Sequence, residues 1–474
     1  MKTYKLFWDG KWQETEKIID VINPYDNKPF AKVYEASIDD VNKAIDTAYN
    51  AKEKIASLTA KERGDILDKI ADLIADRFDE FAETISLESG KAIKFARGEV
   101  ARAIETFKFS ADEARRLSGE VVPLDAAASG KNRFGYYKRY PVGVVGAITP
   151  FNFPLNLVAH KVGPAIAAGC PIVLKPATST PITAVKLIEV ILEAGFPADG
   201  INLVVGSGST VGNAIVTSEK VAKITFTGSP EVGLQIKAKS GIKRVTLELG
   251  NNGPVIINKD ADIYKALPTC VVGGFANSGQ VCISVQRIYI HEDKYDEFKE
   301  LYVKSVAEMG VGDQLSDNVV VGPMIDLKEA ERVEQWVNEA IEQGAKVLVG
   351  GKREGSVYYP TVLENCTSDM KVVKDEVFAP VVSLFKFKDL DDAIKQVNDT
   401  KYGLQVGVFT ENIKTAFYLI DRLEFGGVMV NDVPTFRVDN MPYGGVKLSG
   451  LGREGVKYAV DEMTEIRMVM FNLN

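Results

Sequence analysis

Histidine is almost missing from this chain: two residues, His160 and His291, in 474. That scarcity argues against a histidine-built metal centre and against a Ser-His-Asp hydrolase, and His160 sits in an apolar helical stretch that reads as structural. Cysteine is scarce as well. The four residues Cys170, Cys270, Cys282 and Cys366 never fall at the short spacing of a zinc site or redox dithiol, so no metal is expected. Sparse, unpaired cysteine fits a reducing cytoplasm. The net charge of −8 leaves no basic excess of the kind nucleic acid selects. No run reaches the ~18 apolar residues of a membrane span, and residues 1–10 lack the apolar centre of a signal peptide. A cytoplasmic protein with neither a nucleic-acid nor a membrane partner is therefore expected. Internal repeats and low-complexity segments are absent too.

What is present is a soluble, globular composition, 46% hydrophobic and 26% charged. The length exceeds one ordinary core and predicts two or three domains. Near the start, Phe7-Trp-Asp-Gly-Lys-Trp12 reads as two short strands about an Asp-Gly turn, and Asn23-Pro-Tyr-Asp as a turn. Helical spacing follows over residues 38–56, 60–86 and 97–117, with charge on the outer faces and no chemistry in the pattern. Residues 119–140 are a β-prone excursion.

Residues 141–250 alternate strand and helix five times. The strands (142–149, 171–175, 201–205, 221–226 and 243–249) are apolar throughout, as in a parallel sheet covered on both faces. Such sheets bind ligands at the carboxyl ends of their strands. Standing there are Thr149-Pro150-Phe151-Asn152, Lys175-Pro-Ala177-Thr178, the glycines Gly206, Gly208 and Gly212, and Thr227-Gly228-Ser229. A lysine at a strand end reaches a ribose hydroxyl or a phosphate, and Gly228-Ser229 opens a helix whose free N–H groups favour a pyrophosphate. The three glycines are one residue too widely spaced for the dinucleotide fingerprint, so a plain glycine-rich turn stays an equal reading. Residues 251–450 alternate again, with strands expected at 283–290, 346–349, 381–387, 406–409 and 427–431. The final apolar strand, 466–471, has no evident partner in the sequence, and such an edge invites pairing with another subunit.

One further stretch carries chemistry: Phe275-Ala-Asn-Ser-Gly-Gln-Val-Cys282, small residues ahead of a thiol, with a β-prone run behind it. On its own Cys282 reads as a nucleophile or as an inert buried residue.

Taken in order, Thr149-Pro-Phe-Asn152-Phe-Pro154, Leu174-Lys175-Pro-Ala177, Phe226-Thr-Gly228-Ser229, Leu247-Glu248-Leu249-Gly250, Gly279-Gln-Val-Cys282, Glu376-Val-Phe378-Ala-Pro380 and Pro442-Tyr443-Gly-Gly-Val-Lys-Leu-Ser-Gly450 resemble the aldehyde dehydrogenase superfamily over nearly the whole chain. The resemblance implies an α/β fold: two doubly wound Rossmann-like domains (dinucleotide-binding, residues 1–118 and 141–250; catalytic, residues 251–450) and a small β oligomerisation arm (residues 119–140 and 451–474) in a homo-oligomer, a dimer of dimers. It implies Cys282 as nucleophile, Asn152 with the Cys282 N–H as oxyanion donors, and Glu248 as the base that hydrolyses a thioester. It also implies NAD or NADP as cofactor, with Lys175 on the adenosine ribose, Glu376 on the nicotinamide ribose and Phe378 beside it. Gly228 and Ser229 would face the pyrophosphate, and Thr149, Pro150, Phe151, Ala177, Thr178, Gly208, Gly212, Phe226, Thr227 and Leu249 would complete the cofactor set.

Two positions depart from the common pattern. Many NAD-preferring relatives carry a glutamate shortly after the Lys-Pro pair, where Lys175-Pro-Ala-Thr178 has none. Its loss lowers repulsion of a 2′-phosphate, so NADP is expected to serve at least as well as NAD. Asn251 stands where a second glycine is more usual. For the substrate, Arg437 in the loop before Pro442 would pair with an anionic or hydroxylated aldehyde of the lactaldehyde, glyceraldehyde 3-phosphate or semialdehyde type. A structural ion pair to Asp439 or a neighbouring subunit is the alternative. Acyl transfer to coenzyme A is the other chemical reading, and Glu248 argues for hydrolysis instead.

Overall fold

Strands apolar on both faces set the architecture. Val144–Ile148, Ile172–Lys175, Ile201–Leu203, Val221–Thr227 and Arg244–Glu248 form where the alternation predicts them. In the computed structural model, which describes residues 1–474, they run parallel and side by side. The hairpin Leu6–Trp8 with Lys11–Gln13 and, on the far edge, the short strand Gly450–Leu451 complete an eight-stranded sheet. The hairpin turn takes Asp9 and Gly10 through positive φ (54° and 68°), as an Asp-Gly turn should. Strand order reverses between Val144–Ile148 and Val221–Thr227, which opens a crevice at their carboxyl ends. A seven-stranded sheet follows, built from Pro254–Ile257, Arg287–His291, Lys346–Val349, Thr361–Glu364, Val381–Phe387, Gln405–Phe409 and Gly427–Val430. All its pairings are parallel except that of Lys346–Val349. No helix is long and apolar enough to cross a membrane.

Four elements differ from the sequence expectation. The strand expected at 283–290 is confined to Arg287–His291. Val285 and Gln286 give their N–H groups to Gly273 and Gly253 instead, so the residues around Cys282 form a loop rather than the start of a ladder. The C-terminal strand does have a partner in its own chain: Thr464–Asn472 pairs antiparallel with Arg133–Pro141, whose other edge holds Glu120–Val122. Only its outer edge is free, with Met468, Met470 and Phe471 exposed. Strands Lys17–Asn23 and Lys28–Glu35 form a hairpin about the Asn23 turn, which the turn signal alone did not reveal. A helix over Val456–Glu462 places Val456, Val460 and Met463 in the core of the first sheet, so the chain joins the arm only from Thr464.

The helices before the first sheet also position the loop that follows its first strand. Lys91 and Glu99 form an ion pair with both side chains 0% exposed. Glu99 Oε1 accepts the N–H groups of Leu155 (2.9 Å) and Asn156 (3.1 Å), which begin the helix Asn156–Ala168. The charge of Lys91 is thus what allows a carboxylate to hold the end of the Asn152 loop. Lys91→Met is expected to lower the free energy of unfolding by about 3–5 kcal/mol, the cost of stranding a buried charge. Urea denaturation checks this, and stability equal to the native protein's would show that Glu99 does not need its cation.

Candidate active site

Cys282 is held by a backbone reversal. After the helix Ile263–Phe275, residues Asn277, Ser278 and Gly279 all take positive φ (52°, 55° and 68°). Such a run is costly for residues other than glycine and persists only when its surroundings fix it. Here Ser278 Oγ donates to the Gly322 carbonyl at 2.9 Å, and Gln280 Oε1 accepts from the Ile325 N–H at 2.9 Å. Gly279 is obligatory: a Cβ there would stand 2.0 Å from the Ala379 oxygen. The turn also ties this loop to the first sheet, since Asn152 Nδ2 donates to the Gln280 carbonyl at 2.9 Å. Of the four cysteines, Cys282 alone is only partly buried. Its Sγ lies 3.1 Å from the Tyr443 hydroxyl, and its N–H has no protein acceptor. Burial pushes the thiol up to about 11, with the Tyr443 hydrogen bond and the Arg437 charge acting against that rise.

Glu248 ends the strand Arg244–Glu248 and is 2% exposed, yet neither carboxylate oxygen has a protein partner. The glycine-rich loop anchors this strand end. Glu248 pairs with Gly450, the Leu249 N–H reaches the Ser449 carbonyl, and Ser449 Oγ donates to the Gly250 carbonyl. Desolvation, and next the anion of Glu454, hold the Glu248 carboxyl well above the usual carboxylate range. Glu454 itself is drawn down to about 2; burial opposes this, and Lys161 is the foremost cation favouring it. Lys161 is fully buried and donates to Glu454 (2.7 Å) and Thr227 (2.8 Å).

The cofactor set divides. A cleft of about 470 Å³ is lined by Thr149, Pro150, Lys175, Gly208, Gly212, Phe226, Thr227 and Gly228, together with Gln235 and Lys239. Lys175 has no carboxylate partner, only the Pro176 carbonyl at 3.2 Å, and burial lowers it to about 8. Thr149 Oγ1 is buried without a partner. These idle groups around a strand-end cleft fit a polyhydroxylated, phosphorylated ligand such as a dinucleotide. Ala177 and Thr178 lie in the adjoining loop, with Thr178 Oγ1 donating to the Gly206 carbonyl at 2.8 Å. Ser229 spends its oxygen capping its own helix at the Val232 N–H (3.4 Å), and Leu249 packs beneath that helix at Gly233. Glu376 is not among the residues that line this cleft. Its Oε1 accepts the Asn251 N–H at 2.9 Å and burial raises it to about 8, while Phe378, at φ 51°, meets Phe151 edge to face at 5.9 Å.

Arg437 does not pair with Asp439. Its side chain is 6% exposed, its Nη2 reaches Glu454 (3.4 Å) and His160 (3.2 Å), and its guanidinium lies 3.7 Å from the Tyr443 ring centre. Its Nε is buried without a partner. Asp439 instead binds Arg102 and His160, the latter at 2.8 Å. Sequence reasoning quoted Tyr443 within a motif without giving it a role, and missed Glu454 and Lys161. The dipeptide Arg453-Glu454 directly behind a glycine loop was a usable signal for Glu454, and Lys161 in an otherwise apolar helix was one for its partner.

Comparison with known proteins agrees with this geometry. The sequence profile described as the Aldehyde dehydrogenase family matches residues 12–469, and the chain belongs to that family. It is similar to the 3-sulfolactaldehyde dehydrogenase of Priestia megaterium, at 47% identity over 100% of this chain and 99% of that one. It is also similar to the lactaldehyde dehydrogenase of Methanococcus aeolicus, at 46% over 98% and 100%. Among solved structures it resembles the glyceraldehyde-3-phosphate dehydrogenase GapN of Methanocaldococcus jannaschii complexed with NADP, with a TM-score of 0.93 and 43% identity over 97% and 99% of the two chains. The fold is that of this family: doubly wound, Rossmann-like α/β. The protein is an oxidoreductase that acts on aldehydes with NADP or NAD.

Gly250 leaves room for Glu376: a Cβ there would stand 2.4 Å from Glu376 Oε2. Gly250→Ala is expected to displace Glu376, and the role expected of Glu376 at the nicotinamide ribose then predicts a KM for NAD(P) raised about ten-fold or more, as loss of a charge-assisted hydrogen bond does. Steady-state kinetics in cofactor concentration measure this, and an unchanged KM would remove Glu376 from the cofactor site.

Proposed function

We propose that Cys282 is the nucleophile, Asn152 and the Cys282 N–H the oxyanion donors, and Glu248 the hydrolytic base in the oxidation of a short hydroxylated or anionic aldehyde to its acid. The observation that carries this reading is Glu248, a buried carboxylate with both oxygens idle, across the same junction as the least buried cysteine. A structural glutamate would have partners.

The steps follow from the chain's own groups. Cys282 sulphur bonds to the aldehyde carbon, giving a thiohemiacetal whose oxygen falls to the Cys282 N–H and to Asn152. Asn152 gives one hydrogen bond to Gln280 and has a second N–H to offer. A donor of this kind is worth roughly 3–4 kcal/mol in comparable sites. The nicotinamide, when bound, supplies the hydride acceptor. Glu248 then takes a proton from water, which attacks the thioester and frees the acid. Its raised affinity for protons makes this step favour the alkaline side, since only the deprotonated form can accept.

For the cofactor, we place the adenosine ribose at Lys175 and the pyrophosphate at Gly228, with the nicotinamide ribose at Glu376. The segment after Lys175 brings no carboxylate to a 2′-phosphate, and Thr178 turns its hydroxyl to the Gly206 carbonyl, so NADP serves at least as well as NAD. The substrates named for the relatives, 3-sulfolactaldehyde, lactaldehyde and glyceraldehyde 3-phosphate, share a hydroxyl beside the aldehyde, and two carry an anion. Arg437, whose observed hydrogen bonds all leave from Nη2, is our candidate for that end of the substrate. Residues 1–118 and 141–250 hold the nucleotide and residues 251–450 the thiol. The free edge of Thr464–Asn472 serves assembly of a dimer of dimers, and four free cysteines suit the cytoplasm.

The test follows absorbance at 340 nm with short aldehydes and both cofactors. Native protein should turn over, with kcat/KM for NADP at least equal to that for NAD. Glu248→Gln should release one reduced cofactor per subunit and then slow about 10²-fold or more, the scale of a lost general base. Steady turnover at the native rate in that variant would reject Glu248. Arg437→Ala should lower the ratio of kcat/KM for phosphorylated glyceraldehyde over propanal about ten-fold. An unchanged ratio would reject Arg437 as the substrate ligand.

A further inference from the structure

Tyr443 is the unexplained neighbour of the thiol. It is 2% exposed, and its hydroxyl has one protein partner, Cys282 Sγ at 3.1 Å. Nothing else in the protein hydrogen-bonds to that sulphur. The backbone of Tyr443 is fixed by a reciprocal pair with Glu454, the Tyr443 N–H to the Glu454 carbonyl at 3.0 Å and the return bond at 2.6 Å. One face of its ring carries the Arg437 guanidinium at 3.7 Å, and that guanidinium is itself held by Glu454 and His160. A phenylalanine would fill the same space and make the same stack. Only the hydroxyl distinguishes tyrosine here, and it is directed at the sulphur.

We propose that the Tyr443 hydroxyl stabilises the Cys282 thiolate by donating a hydrogen bond to it, and that Arg437 is a positioning residue that strengthens this donor through the ring. The inference rests on the reading of Cys282 as the nucleophile and adds a group that sets when that nucleophile is ready. A thiolate buried without a donor is costly, because desolvation favours the neutral form. Ionisation releases the Sγ proton to water, and the phenol hydrogen turns from solvent-poor surroundings onto the sulphur it had accepted from. The phenol must stay protonated to do this. Burial holds Tyr443 well above its usual value, so it remains a donor wherever the thiol ionises. A cation over the ring draws electron density from it and makes the O–H a better donor. The charged and titratable groups acting on Cys282 are Tyr443 and Arg437, which favour the thiolate, and Glu376 and Glu248, which oppose it.

The test reads the thiol without turnover. Cys170, Cys270 and Cys366 are buried, so iodoacetamide should alkylate Cys282 selectively, and mass spectrometry follows its rate from about pH 7 to about pH 12, a range that spans the thiol's ionisation. Tyr443→Phe keeps the ring and the stack and removes the donor. Its alkylation midpoint should move up by about one pH unit, with the rate at neutral pH down about ten-fold, the scale of one hydrogen bond to a charged group. An unchanged midpoint would overturn the proposal. Arg437→Lys keeps the charge and loses the planar stack. It should move the midpoint in the same direction when Tyr443 is present and leave it unmoved when combined with Tyr443→Phe. An equal shift in both backgrounds would overturn the positioning role. Thermal melting of each variant confirms that the fold is kept. Because alkylation needs no aldehyde, a native protein that alkylates normally but oxidises nothing would sink the nucleophile reading while leaving the Tyr443 result legible.

Discussion

A carboxylate taken out of water with neither oxygen hydrogen-bonded is expensive, and Glu248 is such a group. The chain meets that cost by surrounding it with fixed structure. The strand Arg244–Glu248 is pinned on one side by Val221–Thr227 and on the other by Gly450–Leu451, which arrives from the far end of the chain. That second pairing brings the glycine-rich loop, and with it Tyr443 and Glu454, to the mouth of the first sheet. Gly444 is needed for the approach: a Cβ there would stand 3.0 Å from Glu248 Oε1. The thiol side is built from the second sheet and joined through Asn152 and Gln280. Each half supplies what the other lacks.

Ionisable groups at this junction come in pairs of unlike fate. Glu454 is held anionic against its burial, with Lys161 the foremost cation favouring that, while burial first and the Glu454 charge second hold Glu248 above the usual carboxylate range. Asp439 is held far below the carboxylate range by His160 and Arg102, against the penalty of its burial. Arg437 joins the two clusters through Glu454 and His160. A carboxyl that is reluctant to ionise beside a thiol that is reluctant to ionise suits the proposed chemistry, in which each is called on in turn.

Much of this was legible in the residues. The five buried strands of the first sheet followed from continuous apolar runs alternating with helical spacing, and Lys175, Gly228 and Glu248 fell at the strand ends where topology places ligands. Asn152 and Cys282 were singled out through motif order, which carries information that composition does not. What was hidden depended on long-range contacts. Val285 looks like strand yet gives its N–H to Gly273, and Thr464–Asn472 finds Arg133–Pro141 more than three hundred residues earlier in the sequence. Arg437 read as a substrate ligand or as the partner of Asp439 or of a neighbouring subunit, but its observed ion pair is with Glu454. Spacing along the chain did not reveal that pair, because Glu454 lies 17 residues further on while Asp439 is a near neighbour in sequence.

The central claim is that Cys282 carries the substrate as a covalent acyl group that Glu248 releases. Acid quenching during turnover, followed by mass spectrometry of the peptide containing Cys282, tests it most directly. The expected result is a mass increase equal to the acyl group, on Cys282 alone, that disappears once the aldehyde is consumed. A Cys282 peptide that stays unmodified throughout turnover, while reduced cofactor accumulates and the Glu248→Gln variant gains no adduct either, would contradict it.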